Sequence, residues 1–279
     1  MKRYYVYDVF TKARFGGNQL AVFPDAAALP ETDLQRIAAE FNFSEVVFCY
    51  PAHLAGNTAR LRIFTPTMEV PFAGHPLIGT AVMLADLGHG PDMVLELHDG
   101  PLPCTAARGE AAFTTAARLE FLAEPDPALV ARALGLVPAD IATTTHAPVM
   151  ASLGLPFTIT ELASRKALSA CQPDIAAFRA GALAHPGGLD FAQFAYVRDG
   201  GTVHARMFAP LDNIPEDPAT GSAGATLAAL LADRLGRDMA LTVRQGDDMG
   251  RPGRIGLRTA SGTVTVSGQA VQVMRGELV

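Results

Sequence analysis

Two stretches of this chain repeat one another. Arg62-Ile63-Phe64-Thr65-Pro66 is answered by Arg206-Met207-Phe208-Ala209-Pro210, 144 positions on, while Gly74 answers to Gly221 and Leu84-Ala85-Asp86 to Leu231-Ala232-Asp233, both 147 positions on. Ordered blocks at a nearly constant offset argue for duplication with a short insertion rather than chance. Each copy reads as strand, glycine turn and helix. Two such halves imply a pseudo-two-fold arrangement with the glycine turns facing one another, and clefts between domains are where small ligands bind. A chain of 279 residues is long enough for two domains with cores of their own. The expected division is an N-terminal lobe over 1–119, with a strand at about 266–279 returning to it, and a C-terminal lobe over 120–265.

Local patterns fill in these halves. Residues 3–10 and 18–24 read as strands joined by a turn at Gly16-Gly17-Asn18, residue types that tolerate positive φ. Leu34, Ile37, Ala38 and Phe41 form one apolar stripe, Thr32 and Gln35 have the spacing of a capping box, and the helix should stop near Asn42. Ser44-Glu45-Val46-Val47-Phe48 is short and β-rich, so Glu45 should sit where a loop enters a strand. Phe72-Ala73-Gly74-His75-Pro76 leads into an apolar helix, with Pro76 at a first helical position and Gly88 past its end. Helices are expected over 127–136 and 164–170, a strand over FAQFAYVR, and successive antiparallel strands broken at Gly262 and Gly268.

Composition removes several function classes. A net charge of −6 without basic runs lacks the footprint needed to hold a phosphate backbone, so nucleic acid is not an expected partner. Apolar runs are broken well before membrane-spanning length, and the opening MKRYYVYDVF has no apolar core of a signal peptide. Cys49, Cys104 and Cys171 are widely spaced and odd in number, which suits reduced thiols in the cytoplasm. There is no GxxxxGK, no GxGxxG after a strand and no HxxxH or HxH pair. TGSAG fails as a nucleophile elbow because Thr220 stands where that motif needs glycine, so a hydrolase using Ser222 is a weak alternative.

What remains are the two small-residue turns, AGHPLIG and ATGSAGA. Free N–H groups at a helix start attract anions, and two such ends could hold a carboxylate. His75 and Ser222 stand where caps are expected, and each is a candidate either for capping or for a ligand contact. Asp217 precedes the second turn and by spacing alone reads as a turn initiator, although it is close enough to Ser222 to face the same ligand, while Glu216 reads as solvated. Glu45 has Phe43, Val46, Val47 and Phe48 around it, and a carboxylate in apolar company is suited to proton transfer, although an exposed strand-edge glutamate fits the same residues. Most of the seven histidines read as surface groups.

DVFTKARFGGNQLAVF, IAAEFNFSEVVF, RIFTPTMEVPFAGHPLIGTA, ARMFAPLDNIPEDPATGSAGATL and DDMGRPGRI, in that order, resemble the PhzF-like family of phenazine biosynthesis over nearly the whole chain. The resemblance implies an α+β fold like that of diaminopimelate epimerase, with two pseudo-symmetric lobes, each a curved, mostly antiparallel sheet wrapped round a central helix. It implies Glu45 as the proton-shuttling acid/base, with Gly74, His75, Asp217, Gly221 and Ser222 lining the substrate site. It further implies isomerisation of a small cyclic carboxylate, similar to that of trans-2,3-dihydro-3-hydroxyanthranilate, with no metal or organic cofactor, in a homodimer. Epimerases of this fold use a cysteine at each helix entry, whereas this chain has FAGH and ATGS, so a two-thiol mechanism is not expected. Gln19, Leu77 and Asn213 depart from the residues common in the family and leave the substrate open. A non-catalytic carboxylate-binding or interaction module on the same fold is the alternative.

Overall fold

A computed structural model describes residues 2–187 and 189–279. The chain forms two compact units, residues 1–115 with 265–279, and residues 116–264.

The first unit contains β1 (Arg3–Val9), β2 (Asn18–Phe23), α1 (Glu31–Phe41), β3 (Glu45–Tyr50), β4 (Ala59–Phe64), β5 (Glu69–Val70), α2 (Gly74–Asp86), β6 (Asp92–Leu97), β7 (Gly100–Ala107) and β8 (Glu110–Thr115). The second contains β9 (Glu120–Ala123), α3 (Pro127–Ala133), β10 (Val149–Ser152), β11 (Pro156–Glu161), α4 (Arg165–Ala170), α5 (Ile175–Ala184), β12 (Gln193–Asp199), β13 (Thr202–Ala209), β14 (Ile214–Asp217), α6 (Gly221–Leu235), β15 (Ala240–Gln245) and β16 (Gly253–Ala260). β17 (Thr263–Glu277) begins in the second unit and continues as the last strand of the first.

In the first unit the pairing runs β1–β2–β3–β4–β6–β7–β8, and β17 joins β8 back to β1, so the sheet closes on itself. A closed sheet has no free edge to attract another chain. α2 packs against β1, β2, β3, β7 and β8, and every residue from Gly74 to Leu84 is buried. Its amino acids are apolar on all sides, which is the composition of a helix enclosed by sheet rather than laid on a surface. α1, amphipathic as its stripe required, lies outside and contributes Leu34 and Ala38 to a separate cluster with Phe23, Phe48 and Phe64.

The repeat seen in the sequence is carried in the strand register. β2–β3 and β11–β12 are parallel, β3–β4 and β12–β13 antiparallel, β4–β6 and β13–β15 parallel. Ile63 faces Val70 as Met207 faces Asp217, and Arg60 faces Glu96 as His204 faces Arg244. In the second unit α6 is the enclosed helix, buried through Gly221–Ala228 and at Leu230 and Leu231. α3, α4 and α5 supply an additional core there around Phe178, Phe191 and Phe208.

Several local expectations need correction. Thr32 and Gln35 make no capping box: α1 starts at Glu31 behind Pro30, no side chain caps it, and the Gln35 amide donates instead to the Thr65 carbonyl at 2.9 Å. Asn42 does end that helix, in a left-handed conformation at φ 51°. In the first turn Gly17 takes positive φ, together with Phe15, while Asn18 is already strand. A Cβ at Gly17 would stand 2.1 Å from the Val9 carbonyl oxygen, so this close approach admits only glycine. Gly268 is not a break: β17 runs through it, and the Phe10 ring occupies the space a side chain would take. The helix from Pro127 ends at Ala133 rather than Leu136. Among the described residues, no helix is long and apolar enough to cross a membrane.

Candidate active site

α2 begins two residues earlier than its proline suggested. Gly74 is its first residue, Ala73 occupies the cap position, and His75 and Pro76 lie inside the first turn, where a missing proline N–H breaks no helical bond. α6 starts in the same way, with Thr220 at the cap position, Gly221 first and Ser222 second. Neither His75 nor Ser222 is therefore a cap, and the residues at the cap positions, Ala73 and Thr220, make no side-chain capping bond. Gly74, His75, Gly221 and Ser222 are all buried.

Glu45 opens β3, where it pairs with Leu20 across the parallel β2–β3 ladder. Its side chain is only 14% exposed, which removes the reading of an exposed strand-edge glutamate. Oε2 lies 3.5 Å from His75 Nδ1. The same ring nitrogen is 3.3 Å from Nδ2 of Asn18, itself buried at the start of β2. Burial is the main influence on the imidazole and pushes its pKa down to about 3, with the Gln19 backbone opposing. His75 is thus a neutral ring at neutral pH, and its Nε2 is buried without a hydrogen-bond partner. A neutral imidazole places no positive charge beside this partly buried carboxylate, and its Nδ1 faces the donor amide of Asn18. Such a carboxylate can both take up and give back a proton.

In the second unit Asp217 ends β14 and is 3% exposed. Thr220 Oγ1 donates to its Oδ2 at 2.5 Å. Glu216, read from sequence as solvated, instead makes two parallel bonds with Arg206, Nε to Oε1 at 2.7 Å and Nη2 to Oε2 at 2.8 Å. Arg206 Nη1 also serves the carbonyls of Leu168, Ser169 and Cys171, so the pair belongs to the scaffold that carries β14. The first unit holds the counterpart, Arg62 on Glu69 and Glu31.

The structure brings Glu45 and His75 into contact and gives Asp217 a hydroxyl partner. Asn18, Thr220 and Gln245 were not picked out from sequence as site residues, and only GGN and ATGS, read as turns, drew attention near two of them. Cys49 is buried, with its thiol pushed up to about 12 by desolvation, as befits a packing residue. The histidines divide otherwise than expected: His53, His89 and His98 are exposed, His185 and His204 half-buried, and His75 and His146 buried.

An enclosed helix within a closed sheet, a carboxylate at its N-terminus and a mixed α/β topology define a fold class shared with epimerases. A solved structure described as a predicted epimerase from Pseudomonas aeruginosa superposes with a TM-score of 0.84 at 31% identity, covering 100% of this chain and 99% of the other. The family model for phenazine biosynthesis-like proteins (PhzC-PhzF) matches residues 7–276, and the chain belongs to that family. It is 36% identical to an uncharacterized isomerase of Mesorhizobium japonicum, over 99% of this chain and 98% of that one. It is 34% identical to the trans-2,3-dihydro-3-hydroxyanthranilate isomerase of Pseudomonas chlororaphis over 100% of both. The chain is an isomerase of the PhzF-like kind, and the binding-module alternative has no support among these relatives.

Proposed function

We propose that the protein moves a proton from one carbon to another on a small cyclic carboxylate similar to trans-2,3-dihydro-3-hydroxyanthranilate, with Glu45 as acid/base and without a cofactor. The contact between Glu45 Oε2 and His75 Nδ1, 3.5 Å long and largely shielded from water, carries this reading. The Glu45 carboxylate takes a carbon-bound proton, the electron pair of the broken C–H bond enters the unsaturated ring, and the carboxyl returns the proton at another carbon. His75 and Asp217 orient the substrate's polar substituents. The first-turn N–H groups at Gly74 and Gly221, with Ser222, attract its carboxylate. Each unit is on this reading a lobe of a diaminopimelate epimerase-like fold. The protein is read as a cytoplasmic homodimer whose partner is a small molecule rather than nucleic acid or membrane.

The test is proton NMR of trans-2,3-dihydro-3-hydroxyanthranilate incubated with the protein in deuterated water. Isomerisation with deuterium entering at carbon is expected. Glu45→Gln should slow it by about a thousandfold while leaving calorimetric binding of 3-hydroxyanthranilate within about threefold of wild type. A Glu45→Gln variant with wild-type turnover would sink the assignment.

A further inference from the structure

Gln245 ends β15, is 1% exposed, and ties together both ends of the turn between β14 and α6. Its Nε2 donates to the Asp217 carbonyl at 2.7 Å and to Thr220 Oγ1 at 2.9 Å, and its Oε1 accepts from the Thr220 N–H at 3.1 Å. The orientation of this amide follows from its backbone partners, because a carbonyl can only accept and an N–H can only donate. With an N–H of Gln245 pointing at it, the Thr220 hydroxyl acts as acceptor on one side and turns its own proton to Asp217 Oδ2, at 2.5 Å. The Thr220 hydroxyl proton is thereby committed to Asp217 Oδ2, which accepts it.

The fold does not need this network. By the strand register and the sequence offsets, Val70 holds the place of Asp217, Ala73 that of Thr220 and Leu97 that of Gln245. The first unit builds the same strand, turn and buried helix with none of the three polar groups. A buried polar triad in only one of two copies of a motif is a specialisation of that copy.

We propose that Gln245 and Thr220 are positioning residues that fix Asp217 as a hydrogen-bond acceptor, so that the substrate must present an N–H or O–H donor to it in addition to a carboxylate. This rests on the assignment of Asp217 to the substrate site. It adds a selectivity: ring carboxylates with an amino or hydroxyl substituent bind well, and those lacking both bind poorly.

The experiment is calorimetric binding of 3-hydroxyanthranilate and of benzoate to the full-length protein. Wild type should favour the donor-bearing ligand by about tenfold or more. Thr220→Val should lose about tenfold on 3-hydroxyanthranilate, leave benzoate unchanged and keep the wild-type melting temperature to within a few degrees; Thr220→Ser should restore it. Gln245→Met should fall in the same direction, and a Gln245→Met protein that fails to fold leaves the threonine pair as the deciding comparison. If Asp217→Asn weakens 3-hydroxyanthranilate binding while Thr220→Val does not, the positioning proposal fails and the site reading survives. If Asp217→Asn has no effect either, or wild type does not prefer the donor-bearing ligand, both fail.

Discussion

Glu45 Oε2 and His75 Nδ1 stand 3.5 Å apart, and the histidine of this pair is uncharged at neutral pH. With the ring neutral, their contact is not an ion pair, and the amide of Asn18 faces the same ring nitrogen at 3.3 Å.

His75 should remain neutral well below the ordinary histidine range. Its folded pKa, about 3, lies beneath the ordinary histidine value of 6.5, so the stability it contributes is present above pH 6.5 and is lost as pH falls towards 3. Nitrogen-15 NMR of the imidazole should show a neutral tautomer at pH 5, and an imidazolium at pH 6 would contradict the burial argument.

Asp212 should behave in the opposite sense. Burial, with Asp190 beside it, raises its pKa from 3.8 to about 6. A raised carboxyl contributes stability that is complete below pH 3.8 and is lost as pH rises through 6. Asp212→Asn keeps an acceptor for the Asp190 N–H and should stabilise the protein by about 1–3 kcal/mol at pH 7.5, with little effect at pH 4.5. Urea unfolding at the two pH values checks this, and an equal effect at both would refute it.

The two arginine–glutamate pairs should differ in worth. Arg206 and Glu216 have side chains only 11% and 17% exposed, whereas Glu31 and Glu69 on Arg62 are 72% and 42% exposed. Arg206→Met strands a half-buried carboxylate and three carbonyls and should cost about 3 kcal/mol. Arg62→Met should cost about 1 kcal/mol or less. Chemical denaturation of both variants gives the comparison, and equal losses would show that burial is not what separates them.

Gly268→Ala should be destabilising although glycine in a strand is normally a weakness. The added methyl would lie 2.3 Å from the buried Phe10 ring, and overpacking of this kind costs about 1–3 kcal/mol. Thermal unfolding should report a melting temperature several degrees lower, and an unchanged value would mean the ring can move aside.

Much of the scaffold is legible in sequence where periodicity has contrast. α1 stands out by its apolar stripe, β1 and β2 by short β-rich runs on either side of a glycine turn, and Asn42 marks a helix end by a conformation few residue types accept. α5 gives no periodic signal because IAAFRAGALA is nearly uniform in polarity, its packing resting on Gly181 beneath the Phe191 ring. β7 was hidden by Pro101 and Pro103. Among site residues, Glu45 was ambiguous alone, since apolar neighbours in sequence do not say which way a strand end faces. The link from Thr220 to Gln245 spans 25 residues and has no period at all, so only the folded chain reveals it.

β17 has a consequence for the order in which the protein can assemble. Residues 265–279, which join β8 to β1, leave the ribosome only after every residue of the second unit has been made. Until then β1 lacks a neighbour on one side and the sheet around α2 stays open, with two strand edges able to pair elsewhere. The half of the protein that carries Glu45 and His75 is translated first and completed last.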